Sequence, residues 1–274
     1  SFFGPDPLNL LGVVILTSLG TWGLPQMIGK FYAIKDEKSI NTGTVISTLF
    51  AIVISGGCYF LGGFGRLFDS AEIYNAETGA VVYDSIIPSM LSKLPDILIG
   101  IVVVLVLSAS MSTLSSLVLT SSSTMTLDLL KDNIMKEMSE KKQIITMQIL
   151  IVFFIVVSVV IALDPPTFIA QLMGISWGAL AGAFLAPFLY GLYWKGVTRA
   201  GVWAGFIAGV GITVSNMFIG YIASPINAGA AAMVAGLVIV PLVSLVTPKL
   251  KKEDVDEIFT CYEEKVVSTK KRNL

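Results

Sequence analysis

The chain has 274 residues, of which 54% are hydrophobic and only 14% are charged, and its mean hydropathy is +0.82. This balance lies well outside that of soluble globular proteins, so the lipid bilayer is the expected solvent. A net charge of −1 and an isoelectric point near 5.5 argue against nucleic acid as a partner.

Seven apolar runs follow one another along the chain, and none contains Asp, Glu, Lys, Arg or His. Each is long enough for the roughly 20 residues that a spanning helix needs, and an ionisable group near the bilayer centre would cost roughly 3 kcal/mol. A soluble helical protein would instead show polar residues at every third or fourth position. The sequence therefore predicts an all-α, polytopic membrane helix bundle. The predicted spans are 8–29, 43–65, 97–127, 143–163, 165–194, 200–223 and 226–247, and a tail follows over 248–274.

The first span is interrupted in its middle by Gly20 to Gln26, a segment with two glycines, a tryptophan and a proline. Pro25 lacks an N–H and crowds the carbonyl of Thr21, so we expect the helix to break or kink there. Backbone groups freed at membrane depth are tolerated where protein or a wet cavity satisfies them, which is how transporters build binding sites. A purely structural kink is the alternative, because glycine and proline are common in spanning helices.

The longest connection, 66–96, carries a predicted turn over 75–79 and a predicted short amphipathic helix from Asp84 to Leu94. Its role is either to cover a vestibule or to form a plain surface loop.

The third span changes from aliphatic to hydroxyl-rich after Leu107. Four of its residues recur at i, i+3, i+4 and i+7 and so share one stripe of the helix: Ala109, Ser112, Thr113 and Ser116. Sodium is a hard cation, and hydroxyls and carbonyls supply oxygen ligands without placing a net charge in lipid. Alternatively, such hydroxyls bond to the carbonyl four residues back or join helices, which is the expected role over 121–124.

The Lys and Arg residues predict the orientation of the chain. Of the 18 such residues, all except Arg66 and Lys93 fall in loops and a tail that share one face. The positive-inside rule makes that face cytoplasmic and places Ser1 outside. Because the chain then starts outside with neither a signal peptide nor an initiating Met, we expect a longer polypeptide whose N-terminal half is missing. Cys58 and Cys261 are expected to be ordinary thiols.

Three groups of segments carry a recognisable pattern. They are Met111 to Ser116 with the Ser-rich stretch and Leu127 to Leu129 after it, Trp22 to Gln26 with Lys30, Phe31 and 33–36, and Trp177 to Trp194 with Lys195 to Gly201. Spread in order over five spans between about residues 17 and 211, they resemble the sodium:solute symporter family, whose members transport proline, pantothenate, sialic acid or sugars.

The resemblance implies the five-plus-five inverted-repeat fold, of which this chain would supply the whole second repeat, as core helices six to ten, and two accessory helices. It also implies that the Ala109 carbonyl and the Ser112 and Thr113 hydroxyls form half of the common sodium site. Ser115 and Ser116 match positions of a second sodium site in some relatives. The remaining ligands would come from the missing half.

Residues around the break vary among members with different solutes, so the sequence does not assign a solute. We expect the solute contacts among residues at or behind the break: Ser18, Thr21, Trp22 and Gln26, with Ser176 and Trp177 behind them. Packing is an equally good role for Trp177.

The expected function is sodium-coupled symport of a small organic solute by alternating access in the cell membrane, with Na⁺ as the coupling ion and no other metal or cofactor. A channel would need a selectivity filter or a charged ring, and an enzyme would need intramembrane acids, nucleophiles or metal ligands. A seven-span receptor would not be expected to combine breakers in its first span with dense hydroxyls in its third. A proton-coupled carrier normally needs a titratable residue in the membrane, and the seven spans have none unless the missing half holds one.

Overall fold

A computed structural model describes residues 6–31, 34–67, 73–165 and 168–262, so Ser1 and the tail beyond residue 262 lie outside the described residues. Within these ranges the chain is almost entirely helical, and extended pairing is limited to one bridge between Tyr74 and Val81. The α-helices are α1 (Pro7–Gly20), α2 (Pro25–Phe31), α3 (Glu37–Phe64), α4 (Tyr83–Leu91), α5 (Asp96–Ser123), α6 (Glu140–Leu163), α7 (Ile169–Tyr193), α8 (Arg199–Ile219), α9 (Pro225–Val246) and α10 (Lys252–Phe259).

Six of these helices are long and apolar enough to cross a membrane, namely α3 and α5 to α9. The shortest, α8, has 21 residues and is about 31 Å long, which matches the roughly 30 Å hydrocarbon core of a bilayer. Helices α1 and α2 form a pair bent by 53°, which raises the count to seven if the pair is one span. The predicted polytopic all-helical architecture is confirmed, whereas the seven-span boundaries and the inverted repeat stay predictions.

The third predicted span differs from the observed helix at its C-terminal end. The sequence places the end of the span at residue 127, but the helix continues from α5 into a π-helical segment, Thr124–Ile134. This segment carries Asp128, Lys131 and Asp132. Backbone hydrogen bonding does not require apolar side chains, so hydropathy marks the end of the apolar stretch but not the end of the helix.

The helices belong to two compact units, 1–32 with 169–274 and 33–168. In the first unit α7, α8 and α9 pack on one another, and α1 packs on α7 and α9. Glycines make this approach close: a Cβ on Gly178 of α7 would lie 2.5 Å from the Cα of Gly229 in α9, and one on Gly209 of α8 would overlap the backbone of Gly182 in α7. Because lipid tails are as apolar as the side chains, such close van der Waals packing is what stabilises helix association.

A proline in α9 leaves one carbonyl without its helical partner. Pro241 has no N–H to donate to the carbonyl of Leu237, four residues back. The hydroxyl of Tyr190 in α7 donates to that carbonyl oxygen at 2.8 Å. The freed backbone group is thus satisfied by a neighbouring helix, which also ties α7 to α9.

The tail helix α10 is held at the C-terminal end of α7. The Lys195 Nζ lies 2.7 Å from an Asp256 carboxylate oxygen and 5.4 Å from the centre of the Phe259 ring. The Tyr262 hydroxyl donates to the carbonyl oxygen of Leu192 at 2.9 Å. The hydrogen bond from Lys195 holds the pKa of Asp256 below its ordinary value of 3.8.

In the second unit α5 and the π-helical segment pack on α6. The most apolar stretches of α3, α5 and α6 contain no buried residue in the described chain, so their surfaces are available to lipid or to further protein. The predicted turn over 75–79 is confirmed, since the Gly79 N–H donates to the Asn75 carbonyl at 2.9 Å and Gly79 has a φ of 65°. The predicted amphipathic helix is confirmed as α4.

We expect Gly209→Ala to lower the thermal stability of the protein in detergent, because the new Cβ would force α7 and α8 apart. Overpacking of this kind costs about 1–3 kcal/mol. Gly211→Ala on the same helix is the matched control: its Cβ meets nothing within 4 Å, so only helix propensity changes, in favour of alanine. Equal melting temperatures for Gly209→Ala and the unaltered protein would contradict the packing described.

We expect Asp256→Asn to loosen α10, because the variant loses the charge that pairs with Lys195. A spin label on Cys261, with Cys58 replaced by Ser, should then become more mobile. Asp254→Asn is the control, since Asp254 lies on the same helix and forms no ion pair in the described part of the chain.

The ion pair also predicts how the attachment of α10 depends on pH. Because the pKa of Asp256 is lowered, its contribution to stability is present above pH 3.8 and lost as the pH falls through the folded-state pKa. In the protein that keeps Asp256, the mobility of the label on Cys261 should therefore stay constant between pH 8 and about pH 5.

Candidate functional site

The break between α1 and α2 is built from a short turn and one extended residue. A 3-10 turn, Thr21–Gly23, ends α1, and Leu24 follows with φ −88° and ψ 116°. Extended geometry is what the residue before a proline prefers. Pro25 is the first residue of α2, where a missing N–H leaves no bond unmade, and the Leu24 carbonyl accepts the first bond of α2, from Met27 at 2.9 Å.

The predicted break is therefore confirmed, with a physical difference. Pro25 does not crowd a carbonyl inside a continuous helix; it starts a second helix that is tilted by 53° from the first. The turn is fixed on α7, because Gly23 lies so close to Ala181 that a Cβ on the glycine would be 2.7 Å from the Ala181 Cα. Leu24 is buried beside it.

A cavity of about 650 Å³ lies between this break, α2 and the C-terminal part of α7. Its volume falls in the usual range of small-molecule sites. Its walls are mostly apolar and aromatic, with one cation. The lining residues are Thr21, Trp22, Met27, Ile28, Lys30, Phe31, Phe188, Leu192 and Tyr193.

Two of the six predicted solute contacts line this cavity, namely Thr21 and Trp22. Ser18 is exposed on α1, and its carbonyl accepts a hydrogen bond from the Thr21 hydroxyl at 3.4 Å. Gln26 is half-buried in the first turn of α2, and Ser176 is exposed on α7; neither lines the cavity.

Trp177 packs against the first unit, and its predicted contact with the solute stays a prediction. A Cβ on Gly20 would lie 3.0 Å from the Trp177 ring, so the ring covers the end of α1. The same ring packs against the buried cluster of the first unit, which includes Leu16 and Met233.

The sequence reasoning missed the residues of α2 and α7 that complete the cavity. Phe188 and Leu192 are spaced i and i+4 on α7, and Met27 and Phe31 have the same spacing on α2. That spacing puts each pair on one helix face, which is a usable signal. It does not tell which helix the face meets, so the spacing alone does not assign these residues to a cavity.

The predicted sodium ligands lie on α5, in the second unit. The Thr113 hydroxyl donates to the Ala109 carbonyl at 3.1 Å, and the Ser115 hydroxyl donates to the Met111 carbonyl at 2.7 Å. The hydroxyls of Ser112 and Ser116 have no hydrogen-bond partner among the described residues, although Ser116 accepts at its carbonyl. Ala109 and Thr113 also line an open hollow of about 430 Å³ with Ser110, Leu114 and Leu117.

The hydroxyls further along the same helix divide into two kinds. Ser121 and Ser123 bond to backbone carbonyls three or four residues back, at 2.9 and 3.0 Å, as predicted for 121–124. Ser122 departs from this pattern, because its hydroxyl is fully buried and has no partner among the described residues. The sodium candidates thus form one set in the second unit, and the solute candidates form another in the first.

Comparison with known proteins gives matches over most of the chain. The model of the sodium:solute symporter family matches residues 4–209. A sodium/pantothenate symporter of Haemophilus influenzae is 32% identical over 199 residues, which cover 72% of this chain and 40% of that protein. A sodium/proline symporter of Staphylococcus aureus is 28% identical over 258 residues, covering 90% of this chain and 49% of that protein. The chain thus spans less than half the length of these relatives, and no solved structure matches it significantly.

Proposed function

This chain belongs to the sodium:solute symporter family, and we propose that it forms the C-terminal part of a symporter that couples Na⁺ entry to uptake of a small organic solute. It is a multi-pass membrane protein. The observation that carries the proposal is the broken helix beside a cavity of about 650 Å³, because irregular backbone at membrane depth needs a cavity or protein to satisfy it.

The solute is proposed to bind at the break, with Thr21 and Trp22 in contact with it. The other candidate contacts, at its margin, are Ser18, Gln26, Ser176 and Trp177. The names of the two relatives give pantothenate and proline as their solutes, and both are small organic molecules. The rest of the solute site is proposed to come from the part of a longer polypeptide that this chain does not include.

Sodium is proposed to bind the oxygen atoms of the α5 stripe, at Ala109, Ser112 and Thr113, with Ser115 and Ser116 at a second position. The stripe carries neutral oxygens only, and the Ser112 hydroxyl is free to turn toward a cation. A proton would require a titratable group in the membrane, and the seven apolar runs contain none. In the proposed cycle, sodium stabilises an outward-open form, the solute joins it, and the site then opens inward.

We expect Ser112→Ala and Thr113→Ala to raise the sodium concentration that half-saturates uptake by the full-length protein. Loss of one ligand interaction worth about 1.4 kcal/mol raises this concentration roughly tenfold for one ion. Ser121→Ala and Thr120→Ala are matched controls on the same helix, since both hydroxyls bond to a carbonyl four residues back. These controls should keep the wild-type sodium dependence.

Unchanged sodium dependence in both Ser112→Ala and Thr113→Ala would contradict the assignment of the stripe as the ion site. Uptake driven by a pH gradient without sodium would contradict sodium coupling itself. The two outcomes are measured in the same vesicle assay, with the sodium and proton gradients imposed separately.

We also propose that the protein lies in the cell membrane with the loop around residue 77 outside and the loop around residue 137 in the cytoplasm. In a protein with Cys58 and Cys261 replaced by Ser, a cysteine at Glu77 should react with an impermeant maleimide in intact cells, and one at Glu137 should react only after permeabilisation. Both positions are exposed in connections between helices. Labelling of position 137 in intact cells would contradict the proposed orientation.

A further inference from the structure

The part of the cavity wall that α7 supplies follows a proline inside that helix. Pro187 has no N–H to donate to the carbonyl one turn back, so the helix resists bending least at this point. Phe188, Leu192 and Tyr193 come after it and line the cavity. The position of this wall segment, residues 188–193, therefore depends on the contacts that hold it from outside α7.

Two tyrosine hydroxyls hold the wall segment. The hydroxyl of Tyr190 donates to the Leu237 carbonyl at 2.8 Å and so joins two of the long apolar helices, α7 and α9. The hydroxyl of Tyr262 donates to the Leu192 carbonyl at 2.9 Å. Carbonyls in the last turn of a helix lack a partner within that helix, so Tyr262 caps α7 from the tail of the chain.

The tail is attached to α7 by contacts that lie in the open. The Lys195 ammonium pairs with Asp256 at 2.7 Å, and both side chains are about half exposed. The same ammonium lies 5.4 Å from the centre of the Phe259 ring, and that ring stacks on the ring of Tyr262 with 5.6 Å between centres. Exposed ion pairs are weak and are screened by salt, so the tail can leave α7 without disturbing the packing of α7 on α8 and α9.

We propose that residues 252–262, which comprise α10 and the turn after it, form a strap on the end of α7. When the strap is docked, it fixes the wall segment and with it the shape of the cavity; when it is released, the wall segment bends at Pro187. Tyr262 and Asp256 are then positioning residues, because they act on the cavity without lining it. That the cavity receives the solute rests on the proposed function.

The test measures the distance between the two ends of α7 in the full-length protein in detergent. Spin labels are placed by Ile169→Cys and Tyr193→Cys after the native cysteines have been replaced by Ser. Both positions are exposed. In a straight helix of 25 residues the two ends are about 36 Å apart, which suits double electron–electron resonance.

We expect Tyr262→Phe combined with Asp256→Asn to broaden the distance distribution toward shorter distances, because bending at Pro187 brings the ends of α7 together. Tyr262→Phe alone should have a smaller effect of the same sign, since it removes the hydroxyl but keeps the ring that stacks on Phe259. An unchanged distribution in the double variant would overturn the proposal.

Tyr221→Phe is the matched control for the loss of a hydroxyl. The Tyr221 hydroxyl also donates to a backbone carbonyl, that of Ile212, at 2.8 Å, and the side chain is about as exposed as that of Tyr262. Because this bond lies within α8 and the turn after it, the control should leave the distance distribution unchanged. A control that broadens the distribution as much as Tyr262→Phe would also contradict the proposal.

A charge swap separates the pairing of the strap from general damage to the fold. Asp256→Lys should release the strap, because it places two cations beside each other. Adding Lys195→Glu restores an ion pair of opposite direction and should return the distribution toward that of the unaltered protein. A swap that leaves the distribution as broad as in Asp256→Lys would contradict the assignment of this pair.

Under the proposed function the strap also affects uptake. Tyr262→Phe should raise the solute concentration that half-saturates uptake, because a wall that moves is less preorganised, and should leave the maximal rate unchanged. A loss of folded protein would instead lower the maximal rate.

The outcomes for the strap and for transport are distinguishable. If the distances depend on Tyr262 and Asp256 while vesicles show no sodium-dependent uptake, the strap stands and the proposed function fails. If uptake depends on sodium while the double variant changes neither the distances nor the half-saturating solute concentration, the function stands and the strap fails.

Discussion

At membrane depth a backbone N–H or C=O has no water to bond, and the helices of this chain are arranged around that constraint. Pro241 leaves the carbonyl of Leu237 without its helical partner, and the hydroxyl of Tyr190 donates a hydrogen bond to that carbonyl. Where α8 ends, the Asn216 side chain bonds both the N–H and the carbonyl of Ile222, at 2.7 and 3.1 Å. At the break between α1 and α2, Pro25 has no N–H to satisfy, and the carbonyl of Leu24 accepts from the N–H of Met27 at 2.9 Å.

The two halves of the broken helix, α1 and α2, differ in how closely they pack on α7. Helix α1 packs on α7 and α9, and the turn after it sits against Ala181 with no room for a Cβ at Gly23. Helix α2 contacts that turn, but the cavity lies between it and the C-terminal part of α7. Leu24 is the one extended residue that joins the halves. Leu24 is itself buried, so the start of α2 is fixed with the turn, while the cavity separates the rest of α2 from the C-terminal part of α7.

The sequence was sufficient for features that depend on composition along the chain. Charge-free runs locate the long helices, and Pro25 with its glycines locates the break, because lipid excludes charge and proline excludes a helical N–H. Features that depend on which faces meet were not accessible. Gly209 and Gly211 have the same local setting, yet only Gly209 touches α7. The sequence predicts Lys30 only as one of the cytoplasmic lysines, whereas the structure shows that it also lines the cavity beside α7. The π-helical extension of α5 also had no hydropathy signal, since it runs through charged residues.

The hydroxyls of the α5 stripe differ in their hydrogen bonds. The Thr113 hydroxyl donates a hydrogen bond to the Ala109 carbonyl at 3.1 Å, so two of the proposed ligands are bonded to each other. A carbonyl oxygen and a hydroxyl oxygen each have two lone pairs, so both oxygens can contact a cation while the hydroxyl keeps donating to the carbonyl. Under the proposed function, sodium binding at this pair therefore does not require the hydrogen bond to break. Ser112 has no such bond among the described residues. Under the proposed function the two hydroxyls differ in preorganisation, because the Ala109 carbonyl already orients the hydroxyl of Thr113 and nothing among the described residues orients that of Ser112.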